Sequence, residues 1–282
     1  MSNHLDLSFD TPEPIGLYVE NGRGSVDVTA SDTTETRVRI TGDRAEEYDV
    51  RDLADGTDDR RIAIIAPRRN AGMFGREPQH DIVVEVPVGS GLNAKVGSSD
   101  VAAHGRFADT KVDSGSGDVS LDVVDGEADI KTGSGDVLAQ HLAGDARVKS
   151  GSGDIVVRRC GPGLVVTTGS GDVRVDASSD ELAIKTGSGD AEVGQVGGDT
   201  IFTAGSGDLV IREASPGRIT AKTASGDIRI GVRAGTPVWT DIRTASGTLS
   251  SDLPRTGEPA PDQPYLEVRA TTASGDVTLH QS

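Results

Sequence analysis

One acidic motif recurs along this chain at a fixed spacing. Gly-Ser-Gly-Asp occurs six times, and neighbouring aspartates are 18 residues apart: Asp118, Asp136, Asp154, Asp172, Asp190 and Asp208. Looser copies extend the series to Asp100, Asp227, Thr248 and Asp276. Carboxylate oxygens accept hydrogen bonds and ligate hard cations, so the series could do structural or metal-binding chemistry. A repeat this regular predicts a solenoid, in which each coil contributes one aspartate to a column.

A column of carboxylates needs compensation, because like charges roughly 5 Å apart repel by roughly 0.8 kcal/mol per pair even in water. Backbone amides of the same turn or of the adjacent coil could supply it by donating hydrogen bonds. Cations could also run alongside, and four lysines stand five residues before a motif aspartate: Lys131, Lys149, Lys185 and Lys222. The amide interpretation is the default, and the two can operate together.

A third way to compensate the column is bound calcium, as in β-rolls with Gly-Gly-x-Gly-x-Asp repeats. Here the aspartate follows glycine directly, and the other turn of the coil does not repeat the motif. Calcium needs six to eight oxygen ligands, for which no cage is evident. A calcium-binding β-roll-like protein therefore stays an alternative, with the six motif aspartates as its candidate ligands, and we expect no cofactor.

The residues between the motifs predict the elements that position the column. Apolar residues stand one and three places after each aspartate, as at Val173 and Val175, and again ten and twelve places after it, as at Leu182 and Ile184. Such alternation is typical of strands. Glycine or aspartate marks a second turn between the two sets. We predict an all-β fold, a parallel β-solenoid with two strands per coil; a triangular coil stays open, and an antiparallel meander is disfavoured.

The two ends of the chain are less regular. Residues 1–90 predict a β-rich N-terminal cap or irregular first coils, and residues 91–282 the repeat solenoid with a C-terminal cap, as one continuous unit. We expect the strand at Val277 and Leu279 to close the C-terminal end, because an open parallel edge recruits other chains. Met73 and Phe74 form a candidate contact loop between glycines and arginines.

Composition limits the classes of partner. The formal charge of -17 disfavours nucleic acid and anionic lipid. The single cysteine, Cys160, falls among core-facing positions and predicts a small buried side chain. The chain shows neither an apolar run long enough to span a membrane nor a signal peptide, which predicts a cytoplasmic location, with any membrane contact made through a partner.

The sequence also argues against an enzyme. The five histidines, His4, His80, His104, His141 and His280, share no position in the repeat. Polysaccharide-cleaving β-helix enzymes build acidic clefts from long loops, which these short coils lack. A polysaccharide-active enzyme is therefore a disfavoured alternative, and we predict no catalytic residues.

An ordered set of motifs resembles a bacterial family of unknown function. It is described as adhesin-like proteins with β-strand repeats and is also called the toastrack family. The motifs are Phe9-Asp10-Thr11-Pro12-Glu13-Pro14, Leu17-Tyr18-Val19-Glu20-Asn21, Gly24-Ser25-Val26-Asp27-Val28, Val86-Pro87-Val88-Gly89-Ser90 and the Gly-Ser-Gly-Asp series. The resemblance covers nearly the whole chain. It implies a binding or scaffold protein, with relatives linked to cell-envelope stress and often attached to membrane segments, and it brings no catalytic residues. We therefore expect a protein partner or self-association, with carbohydrate as a further partner class.

Overall fold

The computed structural model describes residues 4–53, 60–67, 78–253 and 263–282. Strands dominate this part of the chain, where the only helical element is a 3-10 turn at Ala45–Glu47. The contacts group the chain into two compact units, Met1–Ala143 and Gly144–Ser282, each of which is described by itself.

The described residues of the first unit contain eleven strands. They are β1 (His4–Asp10), β2 (Gly16–Ser31), β3 (Glu35–Gly42), β4 (Asp49–Leu53), β5 (Arg61–Ile65), β6 (His80–Pro87), β7 (Gly91–Phe107), β8 (Thr110–Ser114), β9 (Val119–Val124), β10 (Ala128–Thr132) and β11 (Val137–Leu142). The long strands β2 and β7 each run through a whole coil and pair in parallel, from Gly16 beside Gly91 to Thr29 beside His104. β8 and β10 continue the stack on one side, and β9 and β11 continue it on the other.

The N-terminal end of this unit closes with antiparallel strands. β5 and β6 pair in parallel with β2 and form its outer neighbours. β4 then pairs antiparallel with β5, while β3 pairs antiparallel with β6 and β1 with β3. This end of the unit therefore combines parallel with antiparallel pairing. The 3-10 turn buries Ala45 and leads into the buried Tyr48.

In the second unit, residues 144–253 and 263–282 form fourteen strands. They are β12 (Ala146–Ser150), β13 (Ile155–Cys160), β14 (Gly163–Thr168), β15 (Val173–Ser178), β16 (Glu181–Thr186), β17 (Ala191–Val196), β18 (Thr200–Ser206), β19 (Leu209–Ala214), β20 (Gly217–Ser225), β21 (Ile228–Val232), β22 (Val238–Thr244), β23 (Leu249–Ser251), β24 (Leu266–Ser274) and β25 (Val277–Gln281).

Equivalent strands of successive coils pair in parallel with the predicted register. Leu164 lies beside Leu182, and Val173 lies beside Ala191, each pair 18 residues apart. The apolar residues predicted from the alternation are buried, among them Val175 at 0% and Ile184 at 2% exposure. Two strands per coil confirm the β-solenoid and exclude both the triangular coil and the antiparallel meander for the repeats.

The C-terminal end differs from the prediction. β24 pairs with both β20 and β22, and β25 pairs with both β21 and β23. The expectation that the strand at Val277 and Leu279 closes the stack is therefore wrong, because the earlier coil of β22 and β23 lies outside it. Burial explains the order: Val277 and Leu279 are 0% and 2% exposed, whereas Leu249 of the outer coil is 53% exposed.

Other sequence-based expectations have separate outcomes. Cys160 is buried as predicted, at 5% exposure, and burial raises the pKa of its thiol. Met73 and Phe74 lie outside the described residues, so the contact loop stays a prediction. The division of the chain at residue 90 also stays a prediction.

Candidate functional site

The motif aspartates form a hydrogen-bonded ladder. In the second unit the backbone N–H of each motif aspartate from Asp172 onward donates to Oδ1 of the aspartate in a neighbouring coil, as Asp172 does to Asp154 and Asp190 to Asp172, both at 2.9 Å. The ladder continues through Asp208, Asp227 and Asp276 to the amide of Thr248. In the first unit it joins Asp100, Asp118 and Asp136. The predicted compensation by backbone amides of the adjacent coil is confirmed.

The order of the ladder follows the stacking of the coils. Asp276 binds Asp227 on one side and Thr248 on the other, although Thr248 precedes it in the chain. The spacings at the end of the repeat series are therefore unequal because the coil of Asp276 lies between two coils that precede it in the chain.

The glycines of the motif are required by the distance between coils. A Cβ at Gly171 would overlap the carbonyl oxygen of Gly153, and one at Gly189 that of Gly171. The obstacle in each case is backbone, which cannot move without separating the coils. The second glycine of the motif therefore has no substitute, whereas the serine before it is exposed.

A column of buried hydroxyl groups supports the same turn, and the sequence analysis missed it. The hydroxyls of Ser150, Thr168 and Thr186 accept hydrogen bonds from the N–H of the second motif glycine at 2.8–3.1 Å. The signal in the sequence is a serine or threonine directly before most motifs. Ala204 breaks the column, and there the amide of Gly207 donates to the carbonyl of Ser225 instead.

The ladder leaves the carboxylates little capacity to hold a cation. One oxygen of each accepts the amide of the next coil, and Arg229 binds Asp227 at 2.7 Å and approaches Asp208 at 3.8 Å. In the described part of the chain, no three or more His, Cys, Asp or Glu side chains are placed to hold a metal ion together. The geometry gives the calcium alternative no support.

The predicted lysine column does not accompany the ladder in the second unit. Lys149, Lys185 and Lys222 lie on β12, β16 and β20, away from the motif aspartates, and none makes an ion pair with a described residue. Lys131, in the first unit, pairs with Asp129 at 2.5 Å. The expectation that lysines pair with the ladder is therefore wrong for Lys149, Lys185 and Lys222, because their strands belong to the other sheet of the coil.

A shallow groove runs beside the ladder in the second unit, lined by Asp172, Asp190, Val210 and the charged side chains Arg174, Glu192 and Arg212 of β15, β17 and β19. These charges neutralise one another. Asp176 binds Arg158 and Arg174, both at 2.9 Å, and these hydrogen bonds lower the pKa of its carboxyl. Glu192 binds Arg174 and Arg212 in turn. The groove thus presents paired ions and an acidic edge.

A second groove lies on the first unit, around Tyr18, Leu53, Asn93 and Lys111. Burial, and then the hydrogen bond that the hydroxyl donates to Glu20, raise the pKa of Tyr18 to about 12. The phenol therefore stays protonated at neutral pH and donates its hydrogen bond to Glu20.

The histidines occupy unrelated environments. His80 is buried, contacts the ring of Tyr48 edge-on at 5.0 Å and hydrogen-bonds the carbonyl of Asp43. His104 is exposed and lies 3.6 Å from Asp122. Among the described residues no histidine belongs to a group of three or more His, Cys, Asp or Glu side chains that could hold a metal ion.

Stacked parallel coils with glycine-rich turns define the class of this protein as a repeat β-solenoid. The model of the Toastrack DUF4097 family matches residues 17–160 and again residues 129–280. The chain belongs to this family.

Solved bacterial structures are similar over nearly their whole length but distant in sequence. A "putative adhesin" from Parabacteroides merdae is 11% identical, with a TM-score of 0.45, and the match covers 99% of this chain and 96% of that one. A "putative lipid binding protein" from Parabacteroides distasonis is 11% identical, with a TM-score of 0.45 over 98% and 96% of the two chains. A "putative adhesin" from Bacteroides fragilis is 13% identical, with a TM-score of 0.35 over 99% and 98%.

No curated protein matches the chain significantly. None of the helical segments in the described ranges has the length and apolar character to cross a membrane.

Proposed function

We propose that this chain is a non-catalytic, adhesin-like scaffold that binds other proteins through the flat faces of its solenoid. The observation that carries the proposal is an exposed sheet face on the second unit, which we call the uncommitted face because part of its apolar and charged surface has no partner within the described chain. Val165 and Ile201 point outward from β14 and β18 and are 41% and 53% exposed. Large apolar side chains on a rigid, exposed sheet are typical of a contact surface.

The aspartate ladder supports this role because it helps to hold the backbone of the face in place. In the second unit, neighbouring coils are tied together by parallel strand pairing and by the aspartate hydrogen bonds. Buried hydroxyls such as that of Thr186 hold the motif turn within its own coil. A surface whose backbone is held this firmly loses little conformational entropy when it binds. The aspartates of the ladder bind backbone amides, and Asp176 and Glu192 beside it bind arginines, so these groups serve structure.

The family description favours the same function without naming a partner. A protein partner or self-association fits the apolar face, and carbohydrate stays a further prediction. A role linked to cell-envelope stress, a cytoplasmic location and attachment to a membrane through a partner also stay predictions.

The proposal is tested by capturing partners with the immobilised, intact chain and identifying them by mass spectrometry. We expect a partner that binds the purified wild type and is lost with Ile201→Lys, while Val210→Lys on the ladder face retains it. A variant lacking residues 69–79 tests the predicted contact loop of Met73 and Phe74 in the same assay. A chain that captures no partner and is also strictly monomeric would contradict the proposal, as would one that releases new reducing ends from acidic glycans.

A further inference from the structure

The uncommitted face of the second unit carries three columns of different character. In the first column, which we call the basic column, lysine alternates with threonine. Its members in stacking order are Lys149, Thr167, Lys185, Thr203 and Lys222. A central column contains Val165, Ala183 and Ile201. An acidic column lies on the other side of it and contains Asp145, Glu181 and Asp199.

The basic and acidic columns cannot neutralise each other within one chain. Glu181 and Lys185 lie on the same strand, four residues and roughly 13 Å apart. The register partners of Lys185 are Thr167 and Thr203, and Gly163 lies beside Glu181. Both side chains are exposed, and within the described ranges neither takes part in an ion pair. Their charge is therefore available to a partner.

The columns are symmetric about Ala183. Glu181 precedes it by two residues and Lys185 follows it by two, while Val165 and Ile201 flank it in the neighbouring coils. A two-fold axis through this position, parallel to the stack of coils, would place acid opposite base and apolar opposite apolar. Such a surface is complementary to a second copy of itself, as a two-fold interface requires.

We propose that two copies of the chain associate face to face through this surface, with Ala183 at the centre. Glu181 of one copy then lies opposite Lys185 of the partner subunit, and the pair occurs twice. Val165 and Ile201 form the apolar centre, and the small side chain of Ala183 lets the sheets approach. This inference deepens the proposed function, because it names a second copy as the partner.

The packing of two sheets limits how many coils can face their counterparts in the second copy. Packed sheets rotate by about 30° relative to each other, so only the central coils stay in register. Arg147 and Lys222, which would otherwise meet like charges, lie at the ends of the columns and so fall at the solvated rim. The predicted interface has an apolar centre with a charged rim.

The size of the face sets the expected affinity. Seven strands ~4.8 Å apart and five residues ~3.3 Å apart give a flat area on the order of 550 Å². This is less than the roughly 800 Å² per partner of a stable standard interface. The dimer should therefore form reversibly in the micromolar range.

Sedimentation velocity from about 1 µM to about 500 µM tests the dimer. We expect Ile201→Lys to weaken association at least about tenfold. Lys185→Glu should also weaken it, because Glu181 then meets a carboxylate. The double variant Glu181→Lys with Lys185→Glu restores the charge pairs with their signs exchanged, and should return the dissociation constant to within about threefold of the wild type. Val210→Lys on the ladder face is the matched control and should dimerise normally.

Circular dichroism and thermal melting should be unchanged in all four variants, since the substituted side chains point outward. A wild type that stays monomeric at the highest concentration overturns the dimer, as does a double variant no better than Lys185→Glu alone. If the wild type is monomeric but Ile201→Lys still loses a captured protein, the dimer fails while the proposed binding function stands. Loss of both would remove the proposed function as well.

Discussion

The turn that carries Gly-Ser-Gly-Asp and the turn on the opposite side of each coil are held by different contacts. In the first, backbone approaches backbone closely: the carbonyl of Gly153 fills the space where Gly171 would carry a Cβ. At Gly163 in the second, a Cβ would instead meet the end of a side chain, Oδ1 of Asp145. Backbone contacts tolerate one residue type, whereas side-chain contacts can be made in several ways. This difference explains why one turn repeats in the sequence and the other varies.

Adding a methyl group at each turn should give the largest difference between them. Gly171→Ala places a Cβ against the backbone of the next coil, and we expect it to cost about 3 kcal/mol or more in the free energy of unfolding. Gly163→Ala, in the second turn, meets only Oδ1 of Asp145 at 2.9 Å, the free end of a side chain. Its cost should stay below about 1 kcal/mol. Urea unfolding of both variants measures the contrast, and equal costs would break it.

The buried hydroxyl column gives the next largest effect. Thr186→Val leaves the amide of Gly189 without its acceptor, which should cost about 1–2 kcal/mol. Thr200, at the second-turn end of β18, is also buried, but its hydroxyl has no hydrogen-bond partner in the described part of the chain. Thr200→Val should therefore be neutral or slightly stabilising. Thermal melting of the two isosteric variants distinguishes the bonded hydroxyl from the unbonded one. A destabilised Thr200→Val would contradict the statement that the Thr200 hydroxyl has no stabilising partner.

Ion pairs near the second turn should make stability depend on pH. Glu267 binds Arg218 at 2.8 Å and Arg269 at 2.6 Å, and the hydrogen bond from Arg218 is the main cause that holds its pKa below the usual 4.5. A lowered folded-state pKa contributes stability that is present above the unfolded pKa and is lost as pH falls through the folded value. Glu267→Gln should therefore be less stable at neutral pH and lose less between pH 7 and acid.

Melting curves across this pH range measure the effect of Glu267→Gln. Glu127→Gln is the control, because Glu127 is exposed and makes no ion pair with a described residue. Parallel pH profiles for Glu267→Gln and the wild type would contradict the role given to this ion pair.

The ladder carboxylates themselves should give the smallest effect. Asp172→Ala removes the acceptor of an exposed amide and should cost about 0.5–1 kcal/mol. Asp172→Asn keeps an acceptor oxygen and removes one charge from the column, so it should be neutral or slightly stabilising, most clearly at low salt. Chelation should leave the melting temperature unchanged. A fall of several degrees in chelator would restore the calcium alternative.

The interior of the fold could be predicted from the sequence, because burial imposes a period. Val173 and Val175 alternate with polar residues, and the 18-residue spacing fixes which residues stack. The stacking order of the last coils could not be predicted, since a spacing of 28 residues between Thr248 and Asp276 does not show on which side of Asp276 the earlier coil lies.

The candidate contact face was also beyond prediction. Val165 and Ile201 occupy outward positions, where no burial constrains the residue type and a single apolar side chain is unremarkable in sequence. Only the strand register places Val165 and Ile201 on either side of Ala183. The three residues form the column that lies between the columns of Glu181 and Lys185. The distance of the lysines in sequence from the aspartates suggests that the two lie side by side. The strand on which each lysine lies decides instead which face it occupies.

Disulfide trapping of the motif serines tests the stacked register most directly. With Cys160 replaced by serine, cysteines at Ser170 and Ser188 stand in neighbouring coils, and the strand spacing of ~4.8 Å suits a disulfide. Cysteines at Ser170 and Ser206 are two coils apart, at ~9.6 Å, beyond its reach. We predict that mild oxidation closes the first pair nearly completely and leaves the second as free thiols. Closure of the second pair, or failure of the first, would contradict the stacked register.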